Sequence, residues 1–271
     1  MRYLEANAIP DLRAYIKRFW SLEYDPADNS ASEPETVLPD GCPEIIFNLA
    51  DRFRRLNAAG YETQSATLFA GQMSRSIAIQ PTGRVSLFGV RFQPAGAWPL
   101  ARLSMHELTD QICDIADTLG SAGRELESRI NAADSFEDRK SIFEAFLLSR
   151  LAGFDGDAIA HHASAVIQQR GGRISVTALA ESIGVAERRL ERRFKAAVGV
   201  SPKMLARIVR FQGVVQSIQS AQTPNMLDAV HHFGYFDQSH MIREFKQFSA
   251  DTPLAYFEKA HNLSDMFTAS Y

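Results

Sequence analysis

Gly184-Val185-Ala186-Glu187-Arg188-Arg189-Leu190-Glu191-Arg192-Arg193-Phe194-Lys195, with Gly199-Val200-Ser201-Pro202 behind it, decides how this chain reads. The pattern returns from Gly234-Tyr235 through Gln238-Ser239-His240-Met241-Ile242-Arg243-Glu244-Phe245-Lys246 to Thr252-Pro253. The glycines are 50 residues apart, and the two Phe-Lys pairs are 51 apart, so one copy carries a one-residue insertion. Two like units therefore stand in tandem. Each has the grammar of a helix-turn-helix: a short helix, a glycine where the turn commonly needs positive φ, then a second helix. Val176 to Ile183 and Met226 to Phe233 read as the first helices. The second helices start near Glu187 and after Asp237, a good N-cap. Ser201-Pro202 and Thr252-Pro253 each pair a capping residue with proline at the first helical position, so each starts a further helix. The one starting at Pro202 should run to about Gln219, ended by Ser220-Ala221-Gln222-Thr223-Pro224.

The charges sort by face. At ~100° per residue from Arg188, the cations Arg188, Arg189, Arg192, Arg193 and Lys195 share one arc. Leu190, Phe194, Ala197 and Val198 fill the opposite one. A charged helix face is usually just a solvated face. Here five cations stand against Glu191 alone and repel one another at i,i+4 spacing, a cost that a polyanion would relieve. In the second unit Ser239, Arg243 and Lys246 point one way and Met241, Phe245 and Phe248 the other, with weaker charge. The net charge of −3 hides this island. Residues 1–154 hold 16 Lys+Arg and 21 Asp+Glu, whereas 170–246 hold 12 and 6. A basic island in an acidic chain is the electrostatic footprint of nucleic-acid binding.

The first half reads differently. Short apolar or alternating runs at 18–24, 44–49, 67–70, 76–79 and 85–92 are separated by the turn chemistry of Pro39-Asp40-Gly41-Cys42-Pro43, Asn57-Ala58-Ala59-Gly60 and Pro81-Thr82-Gly83. Such spacing predicts a β-barrel or sandwich-like domain. The stretch 25–36 is polar and reads as a mobile loop. From Ser104 to Leu151 the period turns helical, with Leu108, Ile112, Ile115 and Leu119 at helix spacing. The expected boundary lies in Gly153-Phe154-Asp155-Gly156-Asp157. The fold class expected is therefore α+β. A β-rich domain with trailing helices spans 1–154, for which the family resemblance given below implies a regulatory, sensor or dimerisation role. An all-α DNA-binding domain spans 155–271.

Composition closes several other routes. Apolar residues make up 45% and charged residues 23% of 271, the balance of a globular chain. Apolar runs fall far short of the ~20 residues that span a bilayer, and Met1-Arg2-Tyr3-Leu4-Glu5 opens no secretory segment. Two cysteines make no disulfide framework or four-cysteine zinc site, so a reducing cytoplasm is the expected home. A metal-dependent barrel dioxygenase needs several ligands, and residues 1–154 hold one histidine, His106. The adjacent pairs His161-His162 and His231-His232 do not face one metal, because helical neighbours diverge. No nucleophile elbow, phosphate loop or dinucleotide fingerprint occurs, so no metal, cofactor or catalytic set is expected. Asp40, Cys42 and Glu44 could line a pocket; the plainer reading is a tight turn with a small buried filler. His240 sits early in a recognition helix, where a phosphate contact and a packing or capping role are both open.

These residues resemble the AraC/XylS family of bacterial transcription regulators over about 160–258. The resemblance rests on Leu179-Ala180, Gly184, Leu190 to Lys195, Gly199 to Pro202 and Arg210-Phe211, and is strongest from Gly234 to Lys246. It implies seven helices in two helix-turn-helix units joined by one long helix, and double-stranded DNA as partner. By position it places base-reading roles on Arg188, Glu191 and Arg192, and on Gln238, Ser239 and Arg243. With these, Arg189, Arg193, Lys195, His240 and Lys246 complete the expected DNA surface. Ala186 departs from the pattern where many members have a capping serine, and His231-His232 replace small apolar residues. Leu38 to Leu49 and Gly89 to Ala97 resemble the β-rich domain fused to some such regulators. That resemblance brings in a small-molecule effector at the N-terminal domain, a homodimer and RNA polymerase as further partners. The alternative is a DNA-repair methyltransferase or other enzyme with a fused DNA-binding module. It needs an activated, accessible cysteine. Cys42, between Gly41 and Pro43, has no His or Lys within several residues.

Overall fold

The computed structural model describes residues 1–25, 34–101, 103–154, 156–220 and 230–258, with the side chain of Ser220 left out. Most of the expected 25–36 loop, Asp155, the expected helix stop at 221–224, and the part of the expected Met226–Phe233 helix before Val230 lie outside them. The first half folds as two antiparallel sheets that do not close into a barrel. The larger has the order β1 (Arg2–Ala6), β2 (Ile16–Tyr24), β9 (Val85–Phe92), β4 (Glu44–Asn48), β7 (Thr67–Ala70), β10 (Ile112–Asp114). The smaller is β3 (Glu35–Val37), β8 (Ile77–Pro81), β5 (Phe53–Asn57), β6 (Gly60–Thr63).

Successive side chains of a strand point to opposite faces, and here both faces of the larger sheet are buried. Ile45, Phe47, Phe69, Phe88, Val90 and Phe92 pack under four helices. These are α1 (Trp98–Ala101), α2 (Ile115–Leu119), α3 (Ser121–Asn131) and α4 (Phe136–Leu151), which contribute Leu126, Ile130, Phe143 and Leu147. The opposite face turns Trp20, Leu22 and Leu87 toward Phe53 of the smaller sheet. Gly89 is needed there: a Cβ at 89 would lie 2.0 Å from the Trp20 ring.

The helical reading of 104–119 is corrected. Met105–Leu108 form a 3-10 turn, Ile112–Asp114 pair with β7 as an edge strand, and only then does α2 begin. Ile112, Ile115 and Leu119 satisfy a helical period, but Asp110 takes a positive φ of 59° and breaks the run. The Asp114 side chain then accepts from the Ala116 N–H at 2.8 Å and starts a fresh helix.

The second half is helical in every element described: α5 (Ala158–Gln169), α6 (Val176–Ile183), α7 (Glu187–Val198), α8 (Pro202–Ser220), α9 (Gln238–Ser249) and α10 (Pro253–Phe257). Helix α8 serves both units. Leu205 and Ala206 pack into the first with Leu190 and Phe194, while Ile208, Phe211, Val214 and Val215 pack into the second with Met241, Phe245 and Phe248. The first half reaches into both cores. Leu38 joins the second unit's cluster, and Ala95 joins the first's. Polar ties follow the same seam: Gln212 Nε2 donates to the Pro39 carbonyl at 2.7 Å, Thr109 Oγ1 to Gly199 at 2.8 Å, and the Ser76 N–H to Phe248 at 2.8 Å.

Candidate nucleic-acid interface

The first unit is set by local chemistry. Ser175 Oγ accepts from the Ala178 N–H at 3.1 Å and opens α6. Gly184 closes it in the left-handed region at φ 75°, where a side chain would be strained. Helix α7 starts without help: Ala186 has the extended backbone of an N-cap (φ −67°, ψ 141°) but no side chain that can accept a bond. Leu190, Phe194, Ala197 and Val198 are buried, and Arg188, Arg189, Glu191, Arg192 and Lys195 are exposed. Arg193 differs from its neighbours. It is half-buried, and its Nε donates to Asp157 Oδ2 at 2.6 Å. Asp157 Oδ1 accepts from the Ala160 N–H at 3.0 Å and caps α5, so Arg193 ties α7 to α5. The mutual repulsion inferred for five cations thus falls on four.

In the second unit Asp237 Oδ1 accepts from the His240 N–H at 2.6 Å and opens α9. Gln238, Ser239, Arg243 and Lys246 are exposed, while His240 is half-buried with its ring edge-on to Tyr235, centroids 5.3 Å apart. The imidazole therefore has a packing partner within the chain. Phe236, which sequence reasoning passed over, is 91% exposed immediately before Asp237. Its signal in sequence was an aromatic residue beside the N-cap, outside the apolar face.

Glu244 holds α9 to α8. Its carboxylate accepts from Arg207 Nε at 2.7 Å, Arg210 Nη2 at 2.9 Å and Tyr235 Oη at 2.9 Å. Burial alone would raise its pKa, but the Arg207 hydrogen bond and the Arg210 charge and hydrogen bond win and hold it below the usual carboxylate range. Burial, reinforced by Glu244, holds the Tyr235 phenol well above its ordinary value.

The other cysteine chemistry points away from catalysis. Cys42 is buried, and burial, with Asp40 second, pushes its thiol up to about 12. Lys17 Nζ, brought in from β2, lies 3.8 Å from Sγ and pulls the other way without prevailing. A reactive cysteine needs a lowered pKa and access. Among the described residues no three His, Cys, Asp or Glu side chains gather as a metal site, and no helix is long and apolar enough to cross a membrane.

Comparison with known families fits this geometry. The family described as a helix-turn-helix domain matches residues 179–259, which span both units. The C-terminal region is an AraC-type helix-turn-helix domain. Ahead of this AraC-type domain, a domain of unknown function (DUF6597) matches residues 5–114, the two-sheet region. No curated protein matches the chain. Among solved structures, ToxT from Vibrio cholerae is 11% identical over 89% of this chain and 98% of its own, with a TM-score of 0.49. A second ToxT structure, with bound unsaturated fatty acid, is 13% identical over 88% and 94%, with a TM-score of 0.44. The AraC-like transcriptional activator CuxR is 10% identical over 81% and 87%, with a TM-score of 0.26.

Proposed function

We propose that the protein is a cytoplasmic, sequence-specific transcription regulator. Its two helix-turn-helix units, within 155–271, read successive major grooves of one duplex, and residues 1–154 modulate that reading. One observation carries it: on α7 the cations Arg188, Arg189, Arg192 and Lys195 stand exposed while every large apolar side chain of the helix is buried. Arg188, Glu191 and Arg192 are assigned to base edges, as are Gln238, Ser239 and Arg243. Gln238 suits adenine and the arginines guanine. Arg189, Lys195 and Lys246 are assigned to phosphates, with Arg193 and His240 contributing through the groups their internal contacts leave over. Phe236 extends the second reader, because a large exposed apolar ring beside Gln238 suits a thymine methyl.

Modulation has a physical route in the seam. Leu38 to Cys42 packs on α8, the helix that spaces the readers, through Leu38 and through Gln212 on the Pro39 carbonyl. The test is salt dependence of DNA affinity, measured by fluorescence anisotropy on the full chain. The logarithm of the affinity should fall linearly with log salt, and Arg189→Ala should lower the slope by ~1. Binding that is absent, or indifferent to salt, contradicts the reading.

A further inference from the structure

The first half grips both α7 and α9 at their C-terminal ends. The last carbonyls of a helix have no partner within it. Gly199, the C-cap of α7, has its carbonyl met by Thr109 Oγ1 at 2.8 Å. Phe248, in the last turn of α9, has its carbonyl met by the Ser76 N–H at 2.8 Å. Under the 51-residue offset of the two Phe-Lys pairs, Phe248 falls two positions before Gly199, so the grips sit at nearly equivalent places of the repeat. The contact at α7 is close: a Cβ at Gly199 would lie 3.1 Å from the Met105 carbonyl oxygen.

The two grips are joined to each other. Thr109 follows the 3-10 turn, and Ser76 lies between β7 and β8. The Asp110 carboxylate binds these loops together: Oδ1 accepts from the Ser74 N–H and Oδ2 from Ser74 Oγ, both at 2.6 Å. The Asp110 N–H adds a bond to the Gln72 carbonyl at 2.9 Å. Asp110 reaches this position at a φ of 59°, a region open to Asp, Asn and Gly and poor for most other residues. Ser74, Ser76, Thr109 and Asp110 are all half-buried. Hydrogen bonds to an ionised acceptor are also roughly twice as strong as neutral ones. A bonded path therefore runs from α7 through Thr109, Asp110, Ser74 and Ser76 to α9 without passing through α8. Two bodies joined by one helix can still bend about it, and a second connection removes that freedom.

We propose that Asp110 is a positioning residue: it locks α7 and α9 at one separation and angle, so that the protein accepts one half-site spacing. Helix α8 supplies the separation and the Asp110 bridge holds it. The consequence for DNA rests on the two-reader reading above; the locking of the two helices does not.

The test reads geometry and DNA separately. Nitroxides on Glu187→Cys in α7 and Ser239→Cys in α9 of the full chain give the distance between the helices by pulsed electron spin resonance. Cys113→Ser removes the other accessible thiol, and Cys42 is buried. The parent should give one narrow distribution. Asp110→Gly keeps the positive φ and removes both side-chain bonds to Ser74, and Thr109→Val keeps the shape and releases Gly199. Each should broaden the distribution. Asp110→Asn tolerates the same backbone, and its amide can accept from the Ser74 N–H and donate to the hydroxyl, so it should stay with the parent. Circular dichroism checks folding, and if Asp110→Gly fails to fold, Thr109→Val decides. On DNA, the unlabelled parent should prefer its selected site over the same site lengthened by one base pair, about 3.4 Å. In Asp110→Gly that preference should fall several-fold, with base preferences inside each block unchanged. Losing a negative charge would strengthen binding at every spacing alike, and losing stability would weaken it alike, so neither moves this ratio. The proposal is overturned if a folded Asp110→Gly or Thr109→Val keeps the parent's distance distribution, if Asp110→Asn follows Asp110→Gly, or if the spacing preference is unchanged. A parent with no spacing preference would sink the two-reader reading, and the distance distribution would still decide whether Asp110 locks the helices.

Discussion

Arg192 lies on the exposed arc of α7, two residues before the fully buried Phe194, so its guanidinium is free to face a groove while the helix is anchored behind it. Arg192→Ala should weaken specific DNA binding by ~1–3 kcal/mol, the worth of one bidentate base contact. Circular dichroism and Tm should barely move. Phe236→Ser should behave alike, weakening specific binding without lowering Tm, because a side chain 91% exposed contributes little packing. Glu244 is the opposite kind of residue. Glu244→Gln leaves Arg207 and Arg210 without their anion and should cost ~3–5 kcal/mol of stability. The sign with pH follows from its depressed pKa. The stabilisation is complete above the unfolded carboxyl's value of ~4.3 and is lost as pH falls through the lower folded value. Urea melts of parent and variant should therefore begin to converge as pH falls below the unfolded value of ~4.3 and draw closer as it falls further. A difference constant from pH 7 to 3 would mean the carboxylate's charge is irrelevant.

At the scale of elements, the start of α7 is the weak point. Ser175, Asp237 and Thr252 each cap the helix they precede with a side-chain oxygen, and Ala186 has none to offer. Its backbone is already extended and its side chain is exposed. Ala186→Ser should stabilise the protein by ~0.5–2 kcal/mol, read as a rise in Tm. These caps also explain what could be read in advance. The helical half was legible because its signals are local: a capping residue, a proline at the first turn, a glycine at the turn, an apolar face. Strands β4, β7 and β9 were legible because burial on both faces makes them apolar runs. Edge strands were not. Arg2-Tyr3-Leu4-Glu5-Ala6 becomes a strand through pairing with β2, and Ile112–Asp114 through pairing with β7, partners that no local pattern announces. The site divides in the same way. The exposed arc of α7 was visible from periodicity, whereas the Arg193–Asp157 and Glu244–Arg207 pairs join residues 36 and 37 apart in sequence. Asp40 and Cys42 turned out to be both things considered for them: the Cys42 N–H donates to Asp40 Oδ1 at 2.9 Å as a tight turn would, and both side chains line a cavity between the two sheets.

At the scale of the whole molecule, the proposed pair of readers would take its spacing from α8. Its nineteen residues span ~28 Å, which with the offset of each docked unit suits recognition helices about one DNA turn, ~34 Å, apart. An alanine inserted after Gln212 would turn Val214, Val215 and Ile218 by ~100° out of the second core, so it would test folding as much as spacing. The spacing is better tested from the DNA side. Random-oligonucleotide selection on the full chain should enrich an asymmetric site of about 20 base pairs, with two conserved blocks ~10–10.5 base pairs apart, centre to centre. Repeated with Arg192→Ala the selection should lose information in one block, and with Arg243→Ala in the other. A single block, no enrichment, or both substitutions erasing the same block would contradict two readers spaced by one helix.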